Sequence, residues 1–173
     1  MHQAILTIAI LLLIAQTVLA QLLENGDYRI FIGSATDTEN NHYFTAYPSV
    51  GNGYVLTYHI EDFDLQIWRL RNRGNDLVTL ECKGVPGKYL GLRRSDVRPG
   101  AYVGLVKQPV RYRMTKTNGG GNRYELAYPR KVDNNTLVVT LDIAKSGELP
   151  YFAVFNIQNS EGVYGAFKFS RVS

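Results

Sequence analysis

Twelve short segments rich in β-forming residues fall into three groups of four along this 173-residue chain. That recurrence restricts the possible folds more than any other feature. The segments are 28–32, 42–47, 54–60, 65–70, 76–82, 88–92, 101–106, 110–117, 123–128, 137–141, 151–157 and 166–172. They are bounded by turn-forming residues, and no window of helical length carries a 3.6-residue apolar period. The first segments of the three groups begin near Tyr28, Leu77 and Tyr124, 49 and 47 residues apart. The second begin near Tyr43, Lys88 and Leu137, 45 and 49 apart, and the third near Tyr54, Tyr102 and Phe152, 48 and 50 apart. The fourth centre on Trp68, Tyr112 and Phe167. This spacing predicts an all-β domain of three repeats, approximately 27–70, 76–117 and 122–173. The 12 Tyr, 7 Phe and 16 Gly suit strands separated by tight turns.

The N-terminus stands apart from this pattern. Residues 1–20 contain no Lys, Arg, Asp or Glu, carry a short apolar run and end Val18-Leu19-Ala20. The pattern predicts a secretory signal peptide over 1–20, with a single domain over 21–173. The apolar run is too short to span a bilayer, so no stable membrane insertion is expected after cleavage. The expected location is extracellular, and the expected state is a monomer. A single cysteine, Cys82, excludes an intrachain disulfide and reads as a small buried hydrophobe. Asn134-Asn135-Thr136 fits the N-glycosylation pattern at Asn134, before an apolar strand.

A net charge of +4 with no basic block points away from nucleic acid. Catalysis finds little support. His42 and His59 lack metal-ligand spacing, and neither a His-Glu-x-x-His helix nor a Gly-x-Ser-x-Gly elbow occurs. The expectation is a binding protein with no enzyme activity, no cofactor and no metal.

Three units of four strands match the β-trefoil, in which six strands close a barrel and six form hairpins capping one end. Gly87-Lys88-Tyr89-Leu90-Gly91 resembles the second-strand signature of many trefoils. Gln66-Ile67-Trp68 resembles the Gln-x-Trp element of ricin-B-type lectins. The order of elements over residues 66–109 is similar to the fungal β-trefoil serine-protease inhibitors. These resemblances imply the fold over the whole mature chain, and two functions. The first is inhibition of a secreted or target-organism serine protease through an exposed inter-strand loop. The alternative is carbohydrate binding of the ricin-B-like type.

Each function has its own candidate residues. An inhibitor presents a rigid loop that enters the protease cleft as a substrate does, and rigidity lowers the entropy cost of binding. In the resembling inhibitors the reactive loop joins the second and third strands of the first repeat, which corresponds to residues 48–53 with Ser49 and Val50. The equivalent loop of the second repeat, residues 93–100, is basic, and its Arg93, Arg94 and Ser95 suit a trypsin-like enzyme. A ricin-type sugar site needs an aromatic face, an Asp on the first hairpin and a Gln or Asn beside the core Trp. In the first repeat Asp37 with Tyr43 or Tyr47 meets that need. The positions matching Gln-x-Trp elsewhere, Val110-Arg111-Tyr112 and Gly165-Ala166-Phe167, depart from the pattern. Trp68 therefore reads as a core residue.

Overall fold

The computed structural model describes residues 23–32, 42–48, 53–59, 61, 63–93, 97–117, 122–142, 151–159 and 165–173. Among the described residues every predicted segment is a strand. They are β1 (Gly26–Ile32), β2 (His42–Tyr47), β3 (Tyr54–Tyr58), β4 (Ile67–Asn72), β5 (Leu77–Cys82), β6 (Tyr89–Leu92), β7 (Val103–Val106), β8 (Tyr112–Lys116), β9 (Arg123–Ala127), β10 (Leu137–Leu141), β11 (Ala153–Ile157) and β12 (Ala166–Arg171). Among the described residues a single 3₁₀ turn, Asp64–Gln66, leads into β4. It trims the start of the fourth segment predicted at 65–70, because Gln66 N–H bonds back to the Phe63 carbonyl instead of entering the ladder.

Antiparallel pairing closes six strands into a ring in the order β1, β4, β5, β8, β9, β12 and back to β1. The other six form three hairpins, β2–β3, β6–β7 and β10–β11. This is the β-trefoil. Closure pairs both edges of each ring strand, leaving no template for edge-to-edge association there.

Strand alternation sends every second side chain of the ring inward, and these stack in two layers of six. The first layer pairs residues within each repeat: Tyr28 with Trp68, Val78 with Tyr112, and Tyr124 with Phe167. The second pairs residues across repeats: Leu70 with Leu80, Met114 with Leu126, and Phe169 with Ile30. All twelve are buried. Each large apolar side chain removed from water contributes about 1.5–3 kcal/mol, so these layers bind the repeats to one another. Phe44 and Phe155 of the hairpins pack onto this stack, against Phe167 and Tyr112 respectively.

Cys82 lies opposite Trp68 and is buried, with desolvation pushing its thiol up despite backbone hydrogen bonds that pull it down. Its environment is that of a small core side chain, not a reactive thiolate.

Candidate functional site

The three hairpins meet around the pseudo-threefold axis. Tyr54 pairs with Gly104, Tyr102 bridges to Val154, and Phe152 bridges to Leu56, so each third strand touches the next repeat in a cycle. Gly104 is required at this crossing, because a Cβ there would run into the Gly53 carbonyl oxygen. The cycle gathers Tyr54, Tyr102 and Phe152, one from each repeat. Their ring centroids are 5.5–6.0 Å apart and the rings meet edge to face. That arrangement sets the positive edge of one ring against the negative face of the next.

Arg93 completes the cluster. Its backbone N–H bonds to the Tyr102 carbonyl at the neck of the 93–100 loop. Its guanidinium lies 3.8 Å from the centre of the Tyr54 ring and donates to the Tyr54 hydroxyl. Tyr47 stands directly across the hairpin from Tyr54 and is 59% exposed; Tyr102 is 37% exposed. The cap thus presents aromatic faces beside phenol and guanidinium groups. Such a surface suits a ligand with an apolar face and a rim of hydroxyls.

The residues anticipated from sequence meet different fates here. Tyr43 is corrected: it is only 5% exposed and its ring packs against Phe31 at 5.1 Å, so the face a sugar would stack on is covered. Tyr47, on the same strand face, remains open. Gln66 does not turn towards a ligand. It is fully buried, and its amide donates to Thr45 Oγ1 (3.1 Å) and the His59 carbonyl (2.7 Å) while accepting from Glu61 N–H (2.9 Å). Trp68 is a core residue, as expected, and its indole N–H donates to the Phe44 carbonyl at 2.9 Å. Arg93 is engaged with Tyr54 and not held out as a free loop side chain. Arg94, Ser95, Ser49, Val50, Asp37 and the segment 1–20 lie outside the described residues.

Asn134 is exposed at a two-residue turn. Asp133 and Asn134 both have positive φ, and Val132 and Asn135 exchange backbone hydrogen bonds across it. The near-constant spacing of Tyr54, Tyr102 and Phe152 is visible in the sequence but does not single them out as a site. The spacing marks equivalent positions, but only chain closure brings them together. Among the described residues no group of three His, Cys, Asp or Glu side chains is placed to hold a metal.

No family model matches the chain, and no curated protein matches it in sequence. Solved structures do match in fold. The Macrolepiota procera ricin B-like lectin, solved in complex with lactose, aligns with a TM-score of 0.68 at 16% identity, covering 88% of this chain and all of that one. The Rhizoctonia solani agglutinin aligns with a TM-score of 0.67 at 16% identity, over 87% of this chain and 98% of that one. ThreeFoil, a designed threefold-symmetric protein, aligns with a TM-score of 0.66 at 16% identity, over 86% of this chain and all of that one. The chain is a β-trefoil that resembles ricin-B-type lectins in architecture.

Proposed function

We propose that this protein is a carbohydrate-binding protein, exported by its 1–20 leader, that contacts sugars through the aromatic cap. The observation that carries this reading is the cluster of Tyr54, Tyr102 and Phe152 with Arg93, flanked by the exposed Tyr47. Pyranose rings have an apolar face that stacks on aromatic side chains, and Tyr hydroxyls with a guanidinium satisfy their polar rim. The lectin neighbours share this architecture, which supports the same class of activity. No feature of the described surface favours protease inhibition in the same way, since Arg93 is committed to Tyr54.

A glycan array followed by calorimetry tests the reading, with lactose as the first soluble probe. Tyr47→Ala and Tyr102→Ala are each expected to weaken binding about tenfold, which is about 1.4 kcal/mol. An array with no signal above background would remove the carbohydrate reading. Stoichiometric loss of trypsin activity on titration would move the assignment to inhibition.

A further inference from the structure

The outer wall of the ring carries a second group of charged side chains, away from the axis. Residues 69, 113 and 168 follow the equivalent core aromatics Trp68, Tyr112 and Phe167, and each is a cation whose strand neighbours are set by register. Arg69 lies between Asp27 on β1 and Glu81 on β5, and bonds Asp27 at 3.1 Å. Arg113 lies between Leu77 on β5 and Ala127 on β9. The two flanking carboxylates of the first repeat are thus replaced by apolar side chains. Among the described residues Arg113 has no ion pair.

The small Ala127 also leaves room. A cleft of about 220 Å³ lies over the outer face of the β8–β9 pair, beside the β9–β10 loop, and Arg113, Arg130 and Lys131 all line it. Arg130 and Lys131 likewise have no ion pair among the described residues. The acid in the wall, Glu125, accepts a 2.5 Å hydrogen bond from Gln158, also in the wall. Burial pushes its carboxyl up, more than that hydrogen bond pulls it down. Three cations without ion pairs among the described residues and one acid, already hydrogen-bonded to Gln158, thus line the cleft. The volume is below the roughly 300–1,000 Å³ of pockets for drug-sized ligands, so it suits one ring of a saccharide.

We propose that this cleft binds the anionic group, carboxylate or sulfate, of an acidic saccharide, with Arg113 as the principal contact and Arg130 and Lys131 closing around the charge. A guanidinium fork matches either oxyanion with two parallel hydrogen bonds. The proposal rests on the carbohydrate reading but uses a surface separate from the aromatic cap.

The test is calorimetry on the full secreted protein with methyl glucuronide, glucose 6-sulfate and methyl glucoside at low and high salt. The acidic probes are expected to bind at least tenfold tighter than the glucoside, with the advantage shrinking at high salt. A carboxylate preference and a sulfate preference each identify the group. Arg113→Ala and Lys131→Ala should abolish that advantage, and Arg69→Ala, at the equivalent position of the first repeat, should leave it intact. Acidic and neutral probes binding alike, or an advantage that survives Arg113→Ala, would overturn the proposal while leaving a neutral sugar site at the cap untouched. Inorganic sulfate binding through Arg113 with no saccharide binding anywhere would overturn both readings.

Discussion

The fourth strands of the first and second repeats occupy equivalent places in the ring and have opposite polar character. In the first, Gln66, Trp68 and Arg69 all have partners: the Gln66 amide ties the turn before β4 to β2, the Trp68 indole reaches Phe44, and Arg69 holds Asp27. In the second, Val110 replaces the glutamine, the buried Tyr112 hydroxyl has no hydrogen-bond partner, and Arg113 has no ion pair among the described residues. The backbone symmetry is maintained by apolar layers that tolerate exchange of Trp, Tyr and Phe. Polar groups are freed from that requirement and diverge. The Gln-x-Trp element is internal glue in this chain, and chemistry is left available where that glue is missing.

The largest effect expected from breaking this comparison is at Trp68. Trp68→Ala removes the largest side chain of the first layer and orphans the Phe44 carbonyl, so unfolding free energy should fall by about 3–5 kcal/mol in urea melts. A loss below about 1 kcal/mol would show that the layers do not carry the fold. At the equivalent position Tyr112→Phe should act in the opposite direction. It deletes a fully buried hydroxyl that bonds to nothing and that burial holds strongly in its neutral form. The variant should be more stable by about 1 kcal/mol, raising Tm by about 2–4 °C; a lower Tm would mean that the hydroxyl is satisfied after all.

Smaller differences separate the two cations. Arg69→Ala should cost about 0.2–1 kcal/mol, because its pair with Asp27 is partly exposed, and that cost should shrink in high salt. Arg113→Ala should stay within about 0.5 kcal/mol of wild type at any salt. Equal, salt-dependent losses at both positions would erase the contrast between the two strands.

The smallest effect is at Glu125. Its folded carboxyl is raised by burial, so the folded protein binds the proton more tightly than the unfolded chain. The resulting penalty is fully present above the raised value and is relieved as pH falls through it towards the ordinary carboxylate range. Glu125→Gln should therefore raise Tm slightly at neutral pH, with the gain vanishing in acid. A gain that grew as pH fell would reverse the sign of the shift.

All twelve strands and the trefoil are legible in the sequence, because alternation, β-branched and aromatic content and turn residues are local properties. Trp68 was legible as core for the same reason. Tyr43 and Tyr47 were not separable, since both alternate onto one face of β2. The packing of Phe31 over the first, and nothing comparable over the second, depends on a different strand. Arg69 and Arg113 were equally indistinct. Each is an arginine one residue beyond a buried aromatic, and neither Asp27 and Glu81 nor Leu77 and Ala127 is adjacent to it in sequence.

The amino-acid sequence by itself therefore determined the strands, the turns between them and the threefold recurrence that makes a closed ring the favourable burial of their apolar faces. The tertiary structure alone decided which side chains meet across that ring. Register couples residues tens of positions apart, and it placed an acid beside one cation, an alanine beside another, and three distant aromatics on a common axis.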